Sequence, residues 1–239
     1  MLCQATRSHA LPSSVYIRPM SRFWPNPVTL PNSSIELGAR GPFAKSESKL
    51  SDRDIRRALA TGDGPLSRLR TGCTIEEVRC CRGYVRADYL VSSKDSLAII
   101  EVKSDCDSLR RFDEQVRVYS SIADRVILVV GWVWAVHALR AVPWWWEVWL
   151  AERPPMEETR FIPLRDGANN PGVEPSALAS MLPSDEVRRL ARDTGVSIAG
   201  SRHRQLRELI ATRVSCTDLR LAVHDWLGRL PDQRAKQAS

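Results

Sequence analysis

Residues 85–105 read VRADYLVSSKDSLAIIEVKSD, two apolar-rich runs on either side of a polar, turn-forming Ser92-Ser93-Lys94-Asp95. This pattern predicts a β-hairpin with arms Val85–Val91 and Leu97–Lys103. Asp88 lies on the first arm, and Glu101 and Lys103 close the second. Strand side chains alternate with period two, so Glu101 and Lys103 share one face and Val102 takes the other. Three charged groups are therefore expected above one sheet. Placing ions beside Leu97-Ala98-Ile99-Ile100 costs on the order of several kcal/mol each unless a partner or a metal compensates. The cluster calls for a chemical explanation.

Outward from the hairpin, Thr74 to Cys80 reads as a preceding strand with Ile75, Glu77 and Arg79 on one face. Ser51 and Asp54 form a capping-box start, with Ile55, Ala58 and Leu59 on one face of a short helix ending near Thr61. Downstream, Asp107 is a predicted N-cap, and Leu109, Phe112, Val116 and Tyr119 recur at helical spacing through Ser121. Arg125 to Gly131 lacks alternation, as a central parallel strand would. Three strands, a helix and a strand imply a mixed α/β sheet flanked by helices. Val133 to Arg140 reads as helical and Glu147 to Ala151 as an edge strand.

Residues 1–50, with six prolines and neither period, read as a poorly ordered leader, and 51–152 as the core. Residues 153–174, broken by Pro154, Pro155, Pro163 and Pro171, read as a linker. Residues 175–231 carry helical patterns over Ser176 to Leu182, Asp185 to Thr194, Ser201 to Val214 and Thr217 to Leu230, a small C-terminal helical domain.

The 239 residues, 43% hydrophobic and 26% charged, are those of a globular chain. The best apolar run, Val126 to Val136, is shorter than the roughly 18 residues that cross a bilayer. With no signal-like apolar stretch at the start, a cytoplasmic protein with no membrane partner is expected. Six cysteines show no CxxC spacing, and reduced thiols are the simpler reading, with Cys80 and Cys81 pointing to opposite faces of a strand.

The net charge of +7 is uneven: +6 over residues 1–70, −3 over 71–184 and +4 over 185–239. A carboxylate-rich centre between basic margins suits a protein that holds cations at a site while its flanks attract a polyanion. Six of the eight tryptophans lie between Trp132 and Trp149. They read more simply as a hydrophobic cover over the sheet edge than as a base-stacking platform, because consecutive residues on an extended segment cannot all face one ligand.

Asp88, Glu101 and Lys103 are hard ligands and an ammonium on adjacent strands. Mg²⁺ typically takes one or two carboxylates, keeps waters and accepts phosphate oxygens. A lysine beside it can orient or deprotonate a water and offset charge on a phosphate. Arginine supplies 30 of the 35 basic residues, so a lysine at this place stands out.

VRADYLV followed by IIEVKSDCDSLRRFDEQVRVYSSIADRVILVVG resembles the PD-(D/E)xK nuclease superfamily, whose fold is restriction-endonuclease-like. More closely it resembles a bacterial and phage group carrying R-x-D, E-[IV]-K-S-D, Q-V-x-x-Y and L-V-V-G in this order. The likeness extends through VHALRAVPWWWEVWL and LASMLPSDEVRRLARDTGV. It implies a nuclease that hydrolyses phosphodiesters with Mg²⁺ or Mn²⁺, on DNA ahead of RNA. Asp88 and Glu101 would be metal ligands, Lys103 the catalytic lysine, Gln115 the helical glutamine near the site and Tyr119 its partner one turn on. Glu77 would assist, with Glu76 the competing choice and Asp54 a weaker one. Arg110, Arg111 and Tyr119, and in the helical domain Arg202, Arg204, Arg207 and Arg213, are candidate nucleic-acid contacts. The group usually shows Trp-Trp-Gly where this chain has Trp145-Trp146-Glu147. Oligomeric state stays open, a homodimer included. The rival readings are a binding module that keeps the fold without turnover and an interaction protein.

Overall fold

The hairpin forms as β2 (Val85–Ser93) and β3 (Ser96–Lys103), antiparallel with Ser93 opposite Ser96. The computed structural model describes residues 49–237 apart from 63, 70–71, 94–95 and 199–202. The leader expected over 1–50 lies outside them but for Lys49 and Leu50. Preceding the hairpin, β1 (Cys73–Cys80) pairs antiparallel with β2. β4 (Arg125–Val130) runs parallel to β3, and β5 (Glu147–Glu152) runs parallel to β4. β6 (Arg160–Arg165) returns antiparallel, giving a six-stranded mixed sheet in the order β1-β2-β3-β4-β5-β6. The α/β fold class is as expected.

Two details differ from the sequence expectation. Glu147–Glu152 is paired on both sides and is not the edge. That place belongs to β6, inside the stretch read as a linker. Its Pro163 looks like a breaker in sequence, but an edge strand tolerates a residue without an N–H.

Helix α1 (Asp52–Thr61) starts at the predicted capping box: Asp54 N donates to Ser51 Oγ, and Ser51 N donates to Asp54 Oδ2 at 3.1 Å. The cap holds the Asp54 carboxyl near 2, below the usual carboxylate value. Ile55 and Leu59 join Leu50, Tyr89, Ile100, Val102, Ile127, Val129 and Trp149 in a core on one side of the sheet. Helix α2 (Phe112–Ile122) links β3 to β4 and buries Phe112, Val116, Val118, Tyr119 and Ile122. It begins later than the spacing suggested. Asp107 does not cap it but accepts from Ser104 N and Ser104 Oγ, both at 2.7 Å, closing the turn that follows β3.

Helix α3 (Ala135–Ala141) connects β4 to β5 after a short 3-10 turn at Trp132–Trp134. Four helices follow β6: α4 (Pro175–Met181), α5 (Ser184–Asp193), α6 (His203–Arg213) and α7 (Cys216–Gln237). They pack on one another, and α7 also lies against β1 and β2. Arg220 Nη2 meets Asp124 Oδ1 at 2.6 Å, and His224 Nδ1 sits 2.6 Å from Ser92 Oγ. Cys80 ends its strand and Cys81 opens a 3-10 turn with φ of 48°, so the pair does not straddle a strand as expected.

Candidate active site

β2 and β3 pair only as far as Tyr89 and Ile100. The next couple would be Asp88 and Glu101, and there the strands part. The Asp88 carboxylate fills the gap, with Oδ2 accepting the Val102 amide at 2.7 Å. A buried amide without an acceptor would cost ~1–3 kcal/mol, so the aspartate replaces a rung of the ladder.

Glu101 is 2% exposed and Lys103 is 9% exposed. Glu101 Oε1 accepts from Lys103 Nζ at 2.6 Å and from Gln115 Nε2 at 2.5 Å. Glu101 Oε2 lies 2.7 Å from the Tyr119 hydroxyl, which is also 2.9 Å from the Arg86 carbonyl. The single hydroxyl proton serves one of these acceptors at a time. Spacing of four puts Gln115 and Tyr119 on one face of α2, which delivers both to the glutamate. Burial pushes the Glu101 carboxyl up, while Lys103, Tyr119 and Gln115 pull it back. Burial and the charge of Glu101 push the Tyr119 hydroxyl far above its ordinary value, so it remains a proton donor.

Asp88 feels the same neighbourhood. Burial first, then the charge of Glu101, push its carboxyl up to about 7, against the opposing pull of the Val102 amide, Arg56 and Lys103. Glu77 stands on the neighbouring strand, where the pairing passes from Glu76–Tyr89 to Val78–Ala87 without the Glu77–Asp88 step. Its φ of 55° is left-handed, a conformation that costs a non-glycine residue of order 1–3 kcal/mol and concentrates at functional sites. The Glu77 carboxylate lies 2.9 Å from Arg56 Nη2 and 2.6 Å from Arg86 Nε.

Sequence reading missed Arg56. From α1 its Nη2 binds Asp88 Oδ1 as well as Glu77, and its Nε reaches both oxygens of Asp52, at 3.0 and 2.9 Å. The i, i+4 relation to Asp52 was visible in sequence, but the link to Asp88 is made only by the fold.

Asp88, Glu101, Lys103, Gln115 and Tyr119 are thus brought together, with Glu77 joined through Arg56. Asp54 is occupied by the α1 cap and Arg153, and Glu76 is exposed on β1. Arg110 and Arg111 are exposed just before α2. Tyr119, expected as a nucleic-acid contact, is instead fully buried and serves Glu101. Arg207 Nη2 bonds to the Leu182 carbonyl at 3.1 Å and to Ser184 Oγ at 3.3 Å, tying helices together instead of lying open to a phosphate. Arg213 is exposed; Arg202 and the side chain of Arg204 lie outside the described residues.

Trp145, Trp146 and Trp149 are buried in the core, whereas Trp132 and Trp134 are partly exposed and Trp144 is exposed. Glu147, where the resembled group has glycine, is buried too, accepting from Trp149 Nε1 at 2.7 Å and Arg125 Nη2 at 2.9 Å.

Among the described residues no group of three His, Cys, Asp or Glu side chains is arranged to hold a metal ion. Asp88 and Glu101 offer two carboxylates, a number Mg²⁺ accepts when waters and phosphate oxygens complete its shell. The charge of Glu101 raises the cost of ionising Asp88 in this buried place, and a divalent cation held by both would relieve that repulsion. The donor set fits such an ion.

Residues 66–234 match the family of bacteriophage P4 protein cII. The chain belongs to that family. Protein cII of Enterobacteria phage P4 is 23% identical over 172 residues, which cover 72% of this chain and 64% of that protein. The chain thus spans less than two thirds of the length of this curated relative. A protein of unknown function from Silicibacter pomeroyi overlays 63% of this chain and 93% of its own, with a TM-score of 0.34 and 15% identity. The P4 cII match includes Asp88, Glu101, Lys103, Gln115 and Tyr119, whereas Arg56 and the rest of α1 precede it.

Proposed function

We propose that this P4 cII family protein is a Mg²⁺- or Mn²⁺-dependent nuclease, with DNA the substrate ahead of RNA and the cytoplasm its compartment. The observation that carries this reading is the buried Glu101–Lys103 pair, 2.6 Å apart, next to an Asp88 placed where two strands separate. Among the described residues no helix is long and apolar enough to cross a membrane.

In this reading Asp88 and Glu101 would hold the divalent ion, which supplies charge stabilisation at a scissile phosphate. Tyr119 and Gln115 fix the Glu101 carboxylate in one orientation. Lys103 Nζ, kept in place by Glu101, orients the attacking water and offsets negative charge gathering on the phosphate oxygens. Arg110 and Arg111, exposed ahead of α2, would meet the sugar-phosphate backbone.

Arg56 on Asp88 favours a second reading, in which the fold binds nucleic acid without turnover because a guanidinium occupies a ligand. Plasmid nicking with Mg²⁺ or Mn²⁺, run beside Asp88→Ala and Lys103→Ala proteins, separates the two. Nicking by the wild type alone supports the nuclease; DNA binding without nicking in any of the three supports the binding module.

A further inference from the structure

We infer that Arg56 is a built-in cation that occupies Asp88 when no metal is bound and must let go of it for a divalent ion to bind. This rests on the nuclease reading of Asp88 and Glu101 and adds a control element to that site.

Arg56 holds three carboxylates at once: Asp88 Oδ1 through Nη2, Glu77 at 2.9 Å from the same Nη2, and Asp52 through Nε at 2.9–3.0 Å. Three carboxylates surrounding one guanidinium more than neutralise it. The arginine can therefore surrender one carboxylate and keep two charge-assisted contacts. Its central carbon also lies 5.4 Å from the centre of the Tyr89 ring, a face that holds the cation whichever carboxylate it serves.

Glu77 is at its post at a backbone cost. Its left-handed φ of 55° interrupts β1 directly across from Asp88, and the carboxylate goes to Arg56 and Arg86. A strained residue that gives the guanidinium a second carboxylate, kept when Asp88 is released, is intelligible if that guanidinium has to move. The Val102 amide stays on the other oxygen of Asp88, so release of Oδ1 leaves the carboxylate anchored. Arg56 comes from α1, which touches the sheet mainly through Ile55 and Leu59, so a small shift of one helix end frees the aspartate.

Direct Mn²⁺ binding, read from the loss of the free-ion electron paramagnetic resonance signal, tests this on the full chain without DNA. The proteins are wild type, Arg56→Gln, Arg56→Lys and Asp88→Asn. Arg56→Gln should bind Mn²⁺ about tenfold or more tightly than wild type, equivalent to ~1.4 kcal/mol. Arg56→Lys, whose single ammonium cannot bridge three carboxylates as the guanidinium does, should fall between them, and Asp88→Asn should lose binding. Arg56→Gln no tighter than wild type, with binding abolished by Asp88→Asn, would overturn the role of Arg56 and leave the metal site standing. No Mn²⁺ binding by wild type and both Arg56 variants would overturn the role and the site together. If Arg56→Gln does not fold, as circular dichroism would reveal, Arg56→Lys decides, and affinity equal to or below wild type counts against the inference.

Discussion

Asp88 Oδ2 accepts the Val102 amide at 2.7 Å across the point where β2 and β3 stop pairing. The same carboxylate therefore completes a backbone ladder and presents charge to the site. Asparagine keeps an acceptor for the amide but removes the charge, whereas alanine removes both. Asp88→Asn should lose nicking activity by about 10²–10⁴-fold, the scale on which groups at a reacting centre act. Asp88→Ala should lose as much activity and in addition be ~1–3 kcal/mol less stable than the asparagine protein, because the Val102 N–H is left buried and unpaired. Urea unfolding of the two variants reads the difference; equal midpoints would deny the structural half of the role.

The Asp88 carboxyl also sets a pH dependence. Its value in the fold, about 7, lies above the ordinary 3.8, so between these limits the folded protein holds a proton that the unfolded chain has released. The stability contributed by that proton is present below about pH 4 and is lost as pH rises through 7. Glu101 is displaced in the same direction. Wild-type Tm should therefore fall relative to Asp88→Asn from pH 5 to pH 8, by about 2–4 °C for each ~1 kcal/mol. Activity should move oppositely, rising through about pH 7 as the carboxylate proposed to hold the metal becomes ionised. A wild-type Tm that climbs relative to the variant over this range would contradict the account.

Much of this arrangement was legible in the sequence because it follows from period and punctuation. The Ser51–Asp54 box, the pairing of the Val85–Val91 and Leu97–Lys103 arms as a hairpin and the alternation Glu101-Val102-Lys103 are local patterns, and each appears where it was expected. Gln115 and Tyr119 came from the resemblance, and the i, i+4 spacing on α2 accounts for both reaching Glu101. What escaped depends on tertiary context. Asp107 has the residue type of an N-cap but is claimed by Ser104, and Pro163 conceals an edge strand. Arg56 looks like any arginine on a solvated helix face until α1 docks it on Asp88. The left-handed Glu77 has no sequence sign either, since the Glu76-Glu77 pair alternates as an ordinary strand would.

Tyr119 gives a sharper test of how Glu101 is held. Its hydroxyl lies 2.7 Å from Glu101 Oε2 in a fully buried position. Tyr119→Phe keeps the ring, and with it the packing at 6.3 Å from Trp146, and deletes only the donor. Whichever of Glu101 Oε2 and the Arg86 carbonyl the hydroxyl serves then loses its donor, at an expected cost of ~1–3 kcal/mol in stability. Activity should drop by about tenfold or more as the glutamate loses its fixed orientation, with DNA affinity unchanged because the side chain is not on the surface. A binding assay on DNA that weakened in step with activity would point instead to Tyr119 as a nucleic-acid contact.

Gly131 controls the far end of the same strand. Its N–H donates to the Lys103 carbonyl at 2.8 Å, and its φ of −72° is one any residue can adopt, so space and not conformation demands glycine. A Cβ there would run into the Asp105 carboxylate and come within 2.9 Å of its amide nitrogen. That carboxylate accepts the Leu50 amide and the Val133 amide, each at 2.9 Å, tying the segment before α1 and the turn after β4 to the end of β3. Gly131→Ala must push Asp105 aside, and Lys103 lies two residues from it. The variant should lose ~1–3 kcal/mol of stability in urea, the usual cost of forcing extra volume into a packed place. Its nicking activity should fall further than the stability loss explains at a temperature where it is fully folded. Gly172→Ala is the control: a Cβ there meets open space, and its stability should stay within ~0.5 kcal/mol of wild type. Equal behaviour of the two alanine proteins would mean that the close approach at Gly131 does not position the end of β3.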